Sequence, residues 1–170
     1  MESELSVPAL KAGVVKVDIT PPTGQRMWGF AARVSPATGT LDPLWARVLV
    51  LEVGERRLAL VALDLGRPFG PGSLARLREG VKKSSGISYV LLVASHTHSG
   101  PVIKDEYQPG GTPLWESIAI EKIARAIDAA HEQAEEARLG AGHGTAYIAH
   151  NRRRMNPDGT SVLSPAPGTS

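Results

Sequence analysis

Two histidines standing two positions apart are the residues of this chain best placed to do chemistry. His96 and His98, separated by Thr97, follow directly on an apolar run at residues 88–94. In an extended segment, residues i and i+2 point the same way, so both imidazoles are expected on one side. Ligands of open α/β sheets bind at the carboxyl ends of strands, which is where this pair falls. Neutral imidazole binds zinc well, at about 2.0–2.1 Å. Gly100 and Pro101 then turn the chain and hold the pair. The plainer alternative is two polar side chains at a strand end, bonded to backbone or water. Two histidines alone do not close a zinc centre, which when catalytic takes about three protein ligands.

The remaining candidates carry weaker signals. His131 lies on a helical stripe and reads as a helix-flank residue. His143 sits between glycines and His150 precedes Asn151; either could approach the site, and neither has ligand spacing. Asp64 ends an apolar strand, where a buried carboxylate must be hydrogen-bonded or charge-paired. Orienting a ligating histidine from behind would supply such a partner; an aspartate facing water is the equal alternative. No Gly-x-Ser-x-Gly elbow, phosphate loop, dinucleotide fingerprint or His-Glu-x-x-His helix occurs, which disfavours those enzyme classes.

The elements that must position these residues are legible from pattern. Residues 12–19 read as a strand stopped by Thr20-Pro21-Pro22. Residues 23–43 form a long loop holding Met27, Trp28 and Phe30, an apolar patch unusual in a free connector. Residues 46–53 and 57–65 make a hairpin around Gly54-Glu55. Residues 71–84 have helical spacing, with Ser73 able to cap and Gly86 to stop the helix. The run at 88–94 is apolar at every other position on both sides, as a strand covered on both faces should be. Residues 100–113 form a second Pro/Gly-rich loop. Residues 114–136 carry Ile120, Ile123, Ala124, Ile127, Ala130 and Ala134 on one stripe, the strongest helix. Residues 138–148 are expected to add a strand interrupted by Gly140, Gly142 and Gly144. The fold class is therefore α/β: a mixed β-sheet flanked by helices.

Composition sets the outer limits. The chain has 170 residues, 42% hydrophobic and 21% charged, with a formal charge of +2 and no cysteine. That size suits one domain or part of a larger one. Disulfides and thiolate zinc sites are excluded. Arg152-Arg153-Arg154 stands alone, without any nucleic-acid-binding motif, so no nucleic-acid partner is expected. No segment approaches the roughly 18 apolar residues of a membrane span, so no transmembrane segment is expected. The acidic start, Met1-Glu2-Ser3-Glu4, is not expected to act as a signal peptide; the chain as written is expected in the cytoplasm, a secreted parent remaining compatible. Oligomeric state is left open.

Taken together, the motifs resemble one family, the neutral/alkaline, non-lysosomal ceramidases and their bacterial relatives. The matching stretches are residues 12–22 (AGVVKVDITPP), Met27-Trp28-Gly29-Phe30 with Arg33, Asp42-Pro43-Leu44-Trp45-Ala46-Arg47 and Ala62-Leu63-Asp64-Leu65. They continue with Ser95-His96-Thr97-His98-Ser99-Gly100-Pro101 and end with Asn151-Arg152-Arg153-Arg154-Met155 and Asp158-Gly159, in family order. The resemblance implies a zinc amidohydrolase that cleaves an N-acylated sphingoid base (a ceramide) to fatty acid and free base. It assigns one zinc ion to His96, a polarising or proton-handling role to His98, and a catalytic place in the same pocket to Arg152. Gly29 and Asn151 become substrate-contacting residues, and Asp64 supports the metal site.

In that family a second zinc-binding histidine, a glutamate, a tyrosine and a serine important for turnover come from beyond the Asn-Arg pair, and none of these is matched here. Residues 1–160 are therefore expected to be the incomplete N-terminal part of a ceramidase-like catalytic domain, and 161–170 a disordered or truncated tail. Two alternatives stand beside this reading. One is a related bacterial zinc hydrolase acting on a non-lipid amide or ester. The other is a non-catalytic domain with a residual metal- or partner-binding surface.

Overall fold

The computed structural model describes residues 8–30, 32–108, 111–148 and 151–164, in two compact units divided after Arg138. In the first unit, strands β1 (Leu10–Asp18), β2 (Trp45–Val53), β3 (Arg56–Leu63) and β4 (Tyr89–Ala94) and a short β5 (Glu135–Glu136) form one sheet. Its order is β4-β3-β2-β1-β5. Only β3 and β4 are parallel; the other pairs are antiparallel. The parallel pair is joined through α1 (Pro71–Ser85), the crossover such a pair requires. The mixed sheet with two helices is the fold expected from the sequence.

Alternation decides which way each strand faces. Ala46, Val48 and Val50 of β2, with Ala59, Val61 and Leu63 of β3, point into one core and are each at most 3% exposed. α2 (Leu114–Glu132) covers β1 and β2 with Ala119, Ile123, Ala126, Ile127 and Ala130, and α1 packs beside it through Leu77 and Val81. A fully buried side chain of this size contributes about 1.5–3 kcal/mol.

Both helices lie on the same face, which corrects the reading of residues 88–94. β4 is an edge strand covered on one side only. Tyr89, Leu91 and Val93 are 68%, 49% and 62% exposed. The register aligns Leu91 with Leu60, Leu49 and Val14, and Tyr89 with Leu58, Leu51 and Ala12. The uncovered face is thus a continuous apolar block.

Three local expectations also change. Ser73 does not cap α1; Gly70 occupies the cap position and Pro71 the first turn, where its missing N–H costs nothing. The Ser73 hydroxyl instead donates to the wholly buried carboxylate of Glu116 at 2.6 Å, and the Tyr107 phenol donates to the other oxygen at 2.7 Å. This ties α1, α2 and the loop after β4 together. α2 stops at Glu132, and Glu135–Glu136 pairs with β1 rather than extending the helix. Among the described residues, 138–148 form no strand.

The second unit, residues 139–170, holds one antiparallel pair, β6 (Arg153–Met155) and β7 (Ser161–Leu163). Asn156 and Thr160 close its turn, with Gly159 at φ 80°. The boundary expected at residue 160 falls inside this hairpin, and 165–170 lie outside the described residues.

Candidate functional site

β3 and β4 end side by side, and their last pair, Leu63 with Ala94, delivers both following segments to the same edge. Ser95 N–H continues the ladder onto Leu63 O at 2.9 Å, and then the chain breaks out of the sheet. His96 adopts φ 59°, in the left-handed region. A non-glycine residue there costs about 1–2 kcal/mol and persists only where the surroundings enforce it.

The surroundings are the long loop between β1 and β2. It is built of internal bonds: Gly24 N–H donates to Ala37 O, Ala37 N–H to Gln25 O, and Leu44 N–H to Thr20 Oγ1. Its middle is laid against the histidine turn like an extra strand. Trp28 N–H donates to Gly100 O, Val102 N–H to Arg26 O, and Met27 bridges Pro101. Trp28 sits edge-on to His96, ring centres 6.3 Å apart. Phe30 sits edge-on to His98 at 5.0 Å, and the two imidazoles are 5.4 Å apart. Packing this tight needs two glycines. A side chain on Gly29 (φ 77°) would run into the His98 ring, and one on Gly66 into the Trp28 indole. The indole N–H of Trp28 is buried with no hydrogen-bond partner among the described residues.

The opposite side of the same turn faces a cavity of about 550 Å³. Ser95, Thr97 and Ser99 line it, together with Thr20, Asp64 and apolar walls from Met27 and Leu44; neither His96 nor His98 does. Ser95, Thr97 and Ser99 thus border the cavity while the imidazoles meet Trp28 and Phe30.

The expected site residues divide accordingly. His96, His98 and Gly29 come together. Asp64 is close by but turned to the cavity side, where it accepts Trp45 N–H at 3.1 Å and Arg47 Nη1 at 2.7 Å. Its carboxylate is satisfied by these partners rather than by a histidine. Asn151 and Arg152 belong to the second unit. There Asn151 Oδ1 accepts Arg153 N–H at 2.9 Å and Arg152 O accepts Ser164 N–H at 2.7 Å, with both side chains exposed. His131 Nδ1 contacts the Glu52 carboxylate, consistent with a structural flank role. His143 is exposed, and His150 lies outside the described residues.

No group of three His, Cys, Asp or Glu side chains arranged to hold a metal occurs among the described residues. Reading from sequence missed Arg33 as a contributor. Its Nη1 donates to the carbonyl oxygens of His98 and Trp28, acceptors that leave no trace in residue types.

No protein-family model matches the chain. Neutral ceramidase of Pseudomonas aeruginosa is 30% identical over 177 aligned positions, covering 91% of this chain and 26% of that protein. The crystal structure of neutral ceramidase from Pseudomonas aeruginosa superposes with a TM-score of 0.62 at 25% identity, over 76% of this chain and 22% of that one. A ceramidase complexed with C2 gives the same values. The chain thus spans about a quarter of the length of the curated relative it matches. No helix among the described residues is long and apolar enough to cross a membrane.

Proposed function

We propose that this chain, homologous to a segment of neutral ceramidase, supplies one wall of a site that hydrolyses the amide of an N-acylated sphingoid base. The observation that carries the reading is the His96–His98 turn clamped by the Trp28–Phe30 loop, at the carboxyl end of the parallel pair. In this reading water adds to the amide carbonyl, the C–N bond breaks, and fatty acid and free amine leave. His98, beside Gly29, hydrogen-bonds the carbonyl oxygen or hands a proton to the departing nitrogen. Gly29, whose missing side chain lets the His98 ring pack against the loop, contacts substrate at the same edge in this reading.

Zinc requires a separate test of fit. A catalytic zinc takes about three protein ligands, and the described residues bring together two imidazoles and no third group. By themselves they do not fit the ion. His96 is the candidate ligand in this reading, and the reading requires ligands beyond these two.

A second reading has its own observation. The cavity beside the turn sets Ser95, Thr97, Ser99, Thr20 and Asp64 among apolar walls from Met27 and Leu44, and these polar groups suit a short amide or ester. One assay separates them, run on the longest protein that contains this chain together with the further ligands: release of product from a fluorescent N-acylsphingosine and from a short N-acetyl amino-acid ester, with zinc added, for wild type, His96→Ala and His98→Ala. Lipid amide cleavage lost in both variants supports the first reading. Cleavage of the short ester alone supports the second. Turnover indifferent to both substitutions, or equal bound zinc in His96→Ala and wild type, overturns the assignment of these residues.

A further inference from the structure

We infer that Arg33 is a positioning residue for His98, acting through the backbone of the histidine turn and through the Phe30 ring. One guanidinium nitrogen donates to His98 O at 2.6 Å and to Trp28 O at 3.1 Å. The guanidinium plane lies 4.8 Å above the Phe30 ring, and Phe30 in turn stands edge-on to the His98 imidazole at 5.0 Å. Arg33 N–H closes the turn onto Phe30 O at 2.8 Å. Arg33 therefore reaches His98 twice, once at its carbonyl and once through the aromatic ring that limits its side chain.

No carboxylate pairs with Arg33 among the described residues. Its charge goes to the carbonyl of Trp28 on its own loop and to that of His98, 65 positions further along the chain, and the residue is half-buried. Lysine cannot replace it. An ammonium is a compact, strongly hydrated point charge without the planar fork or the flat face that stacks on a ring. The neighbouring backbone explains why such a clamp is required: Gly29 and Phe30 both hold positive φ, at 77° and 42°. Phe30 is also 62% exposed, so its own burial does not fix the ring.

That His98 acts on an amide rests on the function proposed above; that Arg33 sets His98 rests on geometry alone. The test uses the full chain with its histidines observed by imidazole C–H correlation at one alkaline pH, where protonation does not enter. In Arg33→Gln the His98 signal is expected to lose the ring-current displacement imposed by Phe30, while His131, packed against Glu52, stays in place. Phe30→Leu should reproduce that loss, and so should Arg33→Lys despite keeping the charge. A His98 signal in Arg33→Gln that coincides with wild type overturns the inference, as does full retention in Arg33→Lys. If Arg33→Gln displaces His131 as well, the fold has been disturbed and Arg33→Lys decides by the same criterion. Where the wild type turns over an N-acyl amide, Arg33→Gln should lower kcat by about 10- to 100-fold with KM little changed. Absence of wild-type turnover would count against the functional reading, and the imidazole signals would still decide the role of Arg33.

Discussion

Gly29 is the residue on which the histidine turn depends most directly. It holds φ 77°, and any side chain there meets the His98 ring. Gly29→Ala therefore combines backbone strain with a collision and should destabilise the chain by about 1–3 kcal/mol, read from thermal melts; an unchanged melt would mean that the loop is not held against the turn. Tyr107 offers a different handle. Burial first, then its bond to Glu116, pushes the phenol up to about 12 from 10.0. A group harder to ionise folded than unfolded contributes its stability below its ordinary value and loses it as pH rises through the folded one. Stability should fall between pH 10 and about 12, less steeply in Tyr107→Phe, as measured by urea titration across that range. The closeness of the His96 and His98 rings follows from their spacing at a strand end, although His96 holds φ 59° rather than the extended backbone that alternation assumes. Asp64 was located, but not its partners, since Trp45 N–H and Arg47 reach it across the β2–β3 pairing. Arg33 was matched as a residue type while its role stayed hidden, because its acceptors are main-chain oxygens.

Strands and helices were read to within a few residues wherever their hydrophobic period was unbroken. α2 shows why: Ile123 and Ile127 are wholly buried one turn apart. Ile127→Ala should cost about 2–5 kcal/mol, measured by chemical denaturation. β4 shows the opposite. Its apolar run suits a strand covered on both sides, yet covering depends on what lies above the sheet, which the strand's own residues do not state. The expected strand at 138–148 failed for another reason: Gly140, Gly142 and Gly144 weaken pairing, and the described part of that stretch is exposed throughout. The open face formed by Leu49, Leu51, Leu58, Leu60, Leu91 and Tyr89 is the main consequence at this scale. Contiguous apolar surface of this kind promotes association. A Leu60→Lys, Leu91→Glu double variant should sediment as a smaller species than wild type at the same concentration while retaining the far-UV spectrum. Equal sedimentation coefficients would show that this face is not what draws copies together.

At the level of the whole chain, the two units are joined through an exposed stretch without regular structure, from Leu139 onward. Such segments are preferred sites of proteolysis. Brief protease treatment should cut between Leu139 and Ile148 and leave a resistant piece ending near Arg138, identifiable by intact mass; first cuts inside 45–63 would contradict the division. The pairing of the Trp28 loop with the histidine turn has a consequence in time rather than space. Trp28 and Gly100, or Arg33 and His98, come from opposite sides of the β2–β3 hairpin and the α1 crossover. Closing loops of that length carries an entropic cost that only later contacts offset. The hairpin can form from neighbouring residues, whereas the turn cannot be clamped until β4 has docked beside β3. Amide protons of Trp28 and Val102 should accordingly exchange with solvent sooner than those of Val48 and Val61. By this argument folding should reach the histidine turn after the hairpin, and local opening should release it before the hairpin.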